Sequence, residues 1–192
     1  MKEDAVLFGN QYIQLLVKEL NSISTEKIYE ISTALHNARQ SKKRVFVFGN
    51  GGSAATASHM ACDFCKNTRQ PEKPRLKVIS LVDSLAGLTA YANDEGYENV
   101  FSEPLLSLAE VGDIAIAISG SGNSPNVLKG IQTARQIGLK TIGLTGFKGG
   151  KLKKIVDICL VVASDSIERI EDIHLIINHI LTGLLRDASQ YE

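Results

Sequence analysis

A short apolar run, Val45-Phe46-Val47-Phe48, breaks directly into Gly49-Asn50-Gly51-Gly52-Ser53, and an alanine-rich stretch of helical spacing follows at once. Four apolar residues in a row, without alternation, suit a strand covered on both faces. A glycine-rich turn that opens a helix is the usual way of leaving such a strand at its carboxyl end. The cadence recurs. The run at 114–118 leads into Ser119-Gly120-Ser121-Gly122-Asn123-Ser124 and a helix opened by Pro125. Further strands are expected near 77–81, at 141–145 and at 158–162. Helices are expected over 85–91, briefly after Gly146-Phe147-Lys148-Gly149-Gly150, and from about 167 to 186. Strands alternating with helices predict an α/β three-layer sandwich around a parallel sheet of about five strands. In such sheets ligands bind at the carboxyl ends of the strands, where both Gly/Ser loops fall.

The first 42 residues read as a helical segment that packs on this sandwich or on a partner subunit. Tyr12, Leu15, Leu16 and Leu20 recur at helical spacing, as do Ile28, Ile31, Leu35 and Ala38. Ser24 or Thr25 can cap the second helix, with Glu26 in its first turn. At 192 residues the chain is expected to form a single domain, 1–192. The proline-containing stretch 67–75 reads as an exposed loop rather than a linker.

Charge excludes some functions. Lys+Arg and Asp+Glu both number 21, which gives no long-range attraction to nucleic acid or to an anionic membrane. No apolar run is long enough to span a bilayer, and the amino terminus lacks a signal-peptide pattern. Three cysteines fit a reducing compartment, so the expected location is the cytoplasm. Cys62 and Cys65 form a C-x-x-C late in a helix, where small packing residues are a better reading than a redox or metal pair.

The loop 119–124 is suited to an anion. Its glycines let backbone N–H groups approach closely, its serine hydroxyls add neutral donors, and Pro125 occupies the first helical position. It lacks the lysine of a P-loop, and Gly49-Asn50-Gly51-Gly52 does not fit the dinucleotide spacing. The remaining candidates for chemistry lie on two helices. Thr56, His59 and Asp63 share a stripe, so a His and a carboxylate one turn apart can converge on a metal or a substrate. On the terminal helix, His174 falls within the apolar face and reads as a core histidine, while His179 points away from it. Glu171 precedes His179 by about 12 Å along the axis and about 80° around it. To share one ion the two must lean together or come from different protomers. Asn93-Asp94, in the string Asn-Asp-Glu-Gly, reads as an Asx turn.

In their order, Gly49-Asn50-Gly51-Gly52-Ser53-Ala54-Ala55, Ala92-Asn93-Asp94, Ser119-Gly120-Ser121-Gly122-Asn123-Ser124 and Leu144-Thr145-Gly146 with Gly149-Gly150 resemble the sugar isomerase (SIS) fold. Within it they are similar to the phosphoheptose isomerases, over nearly the whole chain. The resemblance implies a flavodoxin-like five-stranded parallel sheet, a homotetramer with active sites shared between subunits, and one zinc per subunit. It also implies conversion of sedoheptulose 7-phosphate to D-glycero-D-manno-heptose 7-phosphate through an enediolate. Carried over by position, it gives Asp63 and His179 catalytic roles and makes His59, Asp63, Glu171 and His179 the zinc ligands. The substrate contacts are then Asn50, Gly51, Gly52, Ser53, Asn93, Asp94, Ser119, Gly120, Ser121, Ser124 and Glu171. Two positions depart from the family pattern, which has Glu at Asp63 and Gln at Glu171. The competing readings are an isomerase of another ketose phosphate and a non-catalytic phosphosugar-binding or regulatory module.

Overall fold

The computed structural model describes residues 2–71 and 73–187. Residues 1, 72 and 188–192 of the expected 1–192 unit lie outside them. Five strands, β1 (Arg44–Gly49), β2 (Lys77–Ser80), β3 (Ile114–Ser119), β4 (Lys140–Gly146) and β5 (Ile158–Val162), form one sheet in the order β2-β1-β3-β4-β5. Every pairing is parallel, with Val45 beside Ile114 and Ile118 beside Leu144. This is the flavodoxin-like order, and its switch point lies between β1 and β3. From β1 the chain passes outward to β2, and from β3 it passes the other way to β4. The crevice between those two departures is therefore flanked by the loops that follow β1 and β3.

The helices are α1 (Lys2–Leu20), α2 (Thr25–Gln40), α3 (Gly52–Lys66), α4 (Leu85–Asp94), α5 (Ser102–Leu108), α6 (Pro125–Ile137) and α7 (Ile167–Asp187). The two faces of the sheet are filled by alternate residues of the same strands. Val45 and Val47 join Ile31 and Leu35 of α2, Met60 and Phe64 of α3, and Ile173, Ile177 and Leu181 of α7 in one core. Phe46 and Phe48 join Leu105 of α5 and Val127 and Ile131 of α6 in the other. Ser24 caps α2, its side-chain oxygen accepting from Lys27 N–H at 3.2 Å. Arg39, fully buried in the last turn of α2, donates to the carbonyls of Leu185 and Thr68 and so ties α2 to the ends of α7 and α3.

Three expectations change. Asn93 and Asp94 form the last turn of α4 rather than an Asx turn. The short helix after Gly150 is one 3-10 turn, Leu152–Lys154. Cys62 and Cys65 do not pack inside: both are exposed, because they fall on the outer side of α3.

Candidate active site

Two clusters of polar groups are built from the carboxyl ends of the central strands and from the helices α3 and α7. The first is a hollow of about 200 Å³ between the loops after β1 and β3, lined among others by Asn50, Ser53, Ser119, Ser121, Ser124 and Glu171. Gly120 and Ile118 complete its floor. Gly51 holds φ +55° and ψ −123°, a region open essentially to glycine alone, and this bends β1 into α3 within two residues. In the second loop Gly122 N–H donates to the carbonyl and hydroxyl of Ser119, and Asn123 N–H donates to the Ser121 hydroxyl. Ser124 starts α6 without using its hydroxyl as a cap, and that hydroxyl lies 3.4 Å from the Ser119 hydroxyl. The result is a rim of hydroxyls beside the open amino end of a helix, an arrangement that attracts anions.

One wall of this hollow is negative. The Glu171 carboxylate stands over Gly52, so close that a Cβ there would collide with it. It occupies the amino end of α3, where a helix favours negative charge. Asn50 is held by an amide that sequence reasoning missed. Asn50 and Asn126 exchange side-chain hydrogen bonds of 2.9 and 2.8 Å, and the Tyr97 hydroxyl donates to Asn50 Oδ1 at 3.0 Å.

The second cluster joins the middle of α3 to α7. His59 Nε2 is 3.2 Å and His179 Nε2 3.7 Å from Asp63 Oδ2, and the two Nε2 atoms are 3.4 Å apart. The rings meet edge to face, 5.2 Å between centroids. Asp63 is buried at 7% exposure, whereas both imidazoles open to solvent. Two lone-pair nitrogens and a carboxylate oxygen converging on one point form a donor set for a divalent cation. Asp63 is fixed from behind by two further amides, Asn67 and Asn178, each 2.9 Å from a different carboxylate oxygen. Asn178 left a trace in the sequence as a polar residue beside His179 on an apolar helix face, and Asn67 as an amide one turn after Asp63.

The expected residues are therefore gathered only in part. Asn50, Ser53, Ser119, Gly120, Ser121, Ser124 and Glu171 share one hollow, with Gly51 and Gly52 forming the turn at its edge. His59, Asp63 and His179 form the other cluster, and Glu171 is not brought to them within this chain. Two helical turns of α7 separate it from His179, and its carboxylate faces α3's amino end instead. Asn93 and Asp94 are exposed on α4 and bond to each other. A larger hollow, about 540 Å³, lies at the opposite end of the sheet beside Lys43, Ile114, Lys140 and Asp157. Those are the amino ends of the strands, where loops and helix dipoles do not converge on a ligand.

A model of the SIS domain matches residues 10–146. Among curated relatives, a probable phosphoheptose isomerase of Thermoplasma acidophilum is 37% identical over 177 residues, covering 92% of this chain and 97% of the relative. The phosphoheptose isomerase of Thermodesulfovibrio yellowstonii is 41% identical over 160 residues, 83% of this chain and 79% of the relative. Two solved phosphoheptose isomerases, from Neisseria gonorrhoeae and Francisella tularensis, superpose with TM-scores of 0.88 at 27% and 29% identity. They cover 96% and 97% of this chain, and 98% of each of those structures is matched. With its sheet order, its two serine- and glycine-lined loops and its His–Asp–His cluster, the chain belongs to the SIS-domain family and, within it, to the phosphoheptose isomerases.

Proposed function

We propose that this protein is a cytoplasmic aldose–ketose isomerase that converts sedoheptulose 7-phosphate to D-glycero-D-manno-heptose 7-phosphate. The observation that carries the reading is the spacing of the His59, Asp63 and His179 ligand atoms. Ligands held at about 2.0–2.1 Å in a tetrahedron stand about 3.3 Å apart, and the three separations are 3.2, 3.4 and 3.7 Å. Zinc would be held by these three residues, one fewer than in structural zinc sites and the number usual in catalytic ones. Zinc bound there would supply a positive charge for the oxygens of the enediolate.

The chain's own residues account for the rest. The hydroxyls of Ser119, Ser121 and Ser124 and the start of α6 hold the phosphate, and Asn50 and Ser53 close the cup from the other side. Asp63 takes the proton from C1 of the ketose and returns it to C2. His179 moves a proton between the two adjacent oxygens, so no net proton is gained or lost; Asp63 and His179 do this while not donating to the metal, their ligand and acid–base roles alternating as substrate enters. Asp is shorter than Glu by one methylene, so Asp63 depends on close approach of the substrate carbon. We further propose a homotetramer in which neighbouring subunits share the substrate between these clusters, with Glu171, Asn93 and Asp94 contacting sugar hydroxyls. The apolar outer surface of α1 supports such assembly, since α1 buries none of its own residues.

The test is incubation with sedoheptulose 7-phosphate in heavy water, with metal content measured on the same preparation. Turnover and deuterium at C2 of the product are expected, with about one zinc per chain. Asp63→Asn should abolish exchange while leaving sugar-phosphate binding intact. Binding without any exchange in the wild type would instead mark a phosphosugar-binding module.

A further inference from the structure

We infer that Asn67 and Asn178 form an amide clamp that positions the Asp63 carboxylate. Asn67 Nδ2 donates to Oδ1 and Asn178 Nδ2 donates to Oδ2, both at 2.9 Å. A carboxylate oxygen only accepts, so the NH₂ end of each amide must face it. With one donor on each oxygen, rotation about the last side-chain bond is blocked in both directions. Oδ2, the atom that faces both imidazoles, is thereby held in one place.

The two arms are built differently. Asn67 follows Asp63 by one helical turn and ends α3, its backbone N–H donating to the Asp63 carbonyl at 2.7 Å. Its side chain is exposed. Asn178 comes from α7 and is fully buried, with its Oδ1 lacking any partner among the described residues. Burying an amide with its oxygen unpaired costs stability that an apolar residue of similar size would not. Ile177 and Leu181 lie beside it in the core, so an apolar residue would suit the position. An amide in such a place, with its one side-chain hydrogen bond directed at Asp63, is explained by what it does to that carboxylate. Asp63 has less reach than a glutamate would, and so more to lose from a wrong rotamer.

The inference rests on the reading of Asp63 as base and ligand, and the experiment separates the two. Asn178→Leu, Asn67→Ala and Asp63→Asn are compared with wild type for kcat and KM on sedoheptulose 7-phosphate, for zinc affinity by chelator competition on the apoprotein, and for Tm. For Asn178→Leu and Asn67→Ala we expect kcat and zinc affinity each to fall by about 10- to 100-fold, with KM within about twofold. We expect the Tm of Asn178→Leu to fall only slightly, since Asp63 Oδ2 loses an amide donor while the unpaired Asn178 Oδ1 is removed with it. Wild-type kcat and zinc affinity in both variants, with Asp63→Asn inactive, overturns the clamp and spares the reading of Asp63. Full activity in Asp63→Asn overturns that reading itself. Should Asn178→Leu lose stability and activity together, Asn67→Ala decides, since an exposed side chain is removed without disturbing the core. Should wild type not turn over this sugar, the zinc affinities alone decide for or against the clamp.

Discussion

His174 lies fully buried on α7, its Nε2–H donating to the Thr145 carbonyl at 3.2 Å and its Nδ1 without a partner among the described residues. Burial disfavours the charged imidazolium and pushes its pKa down to about 4. In the unfolded chain the ring titrates near its ordinary value, so between about pH 6.5 and 4 the unfolded state binds the extra proton. Stability is therefore complete above that window and falls as the pH drops through it, by up to about 3 kcal/mol. His174→Gln keeps a donor for Thr145 and removes the titration, so its Tm should decline less than wild type over the same range. A parallel decline in both proteins would assign the acid sensitivity elsewhere. Glu171 makes a second prediction at this scale. Its charge faces the hollow proposed for the phosphate, so Glu171→Gln should lower KM for the sugar phosphate several-fold, more at low ionic strength than at high. Gln keeps an oxygen that can accept from the sugar hydroxyls proposed for Glu171, so an unchanged or raised KM would mean that the charge does not oppose the phosphate. Of these residues, the periodicity of α7 was enough to place His174 inside and His179 outside. It could not reveal Asn178 as a partner of Asp63, because a bond between residues 115 positions apart exists only once α3 and α7 have packed.

At the scale of elements, the serine loop after β3 is kept open by the glycine loop after β4. Gly122 N–H turns inward to Ser119, and its carbonyl accepts from Leu152 N–H at 2.9 Å, while Gly146 N–H donates to Gly120 at 2.8 Å. Lys151 N–H donates to Asn123 Oδ1 at 3.1 Å. The two backbones cross so tightly that a Cβ on Gly122 would strike the carbonyl of Gly149, and Gly122 also holds φ +64°. Gly122→Ala should therefore spread the two loops and raise KM by about tenfold or more, while zinc affinity, set by residues about two turns or more into α3 and on α7, stays unchanged. Equal losses of zinc and substrate binding would show general unfolding instead of a local change. The strands were legible because buried parallel strands are continuous apolar runs, and all five appear within a few residues of the expected positions. The helix α5, seven residues long, was not read from the sequence: about two turns are too few for a helical period to emerge from Ser-Glu-Pro-Leu-Leu-Ser-Leu. The convergence of His59, Asp63 and His179 was foreshadowed by their helix faces. Glu171's separation from them was foreshadowed by its axial offset, but the choice between leaning together and standing apart belongs to tertiary packing.

At the scale of the molecule, α1 is fastened to α7 but covers little of itself. The Tyr12 hydroxyl donates to Asp172 at 2.5 Å, and that bond holds its pKa up to about 12. Arg169 Nε donates to both oxygens of Glu19, and the guanidinium lies 5.9 Å from the centre of the Tyr12 ring. These contacts fix the orientation of α1, and they leave Val6, Ile13 and Val17 exposed along one stripe, with Phe8 and Leu15 exposed on the opposite side. An apolar stripe of this length on a helix held in place is the kind of surface that association removes from water. The proposed tetramer thus depends on a helix that the core of a single chain hardly needs. Val6→Asp combined with Ile13→Asp should leave the sheet and the His–Asp–His cluster folded, because neither side chain contributes to the buried cores. Sedimentation should then show wild type at about four times the 20.8 kDa chain mass and the double variant at a smaller species. If substrate is shared between subunits, kcat/KM should fall with the loss of assembly while zinc affinity persists. A wild type that sediments as a monomer at micromolar concentration, with full activity, would put both halves of the site within one chain and leave α1's stripe to another partner.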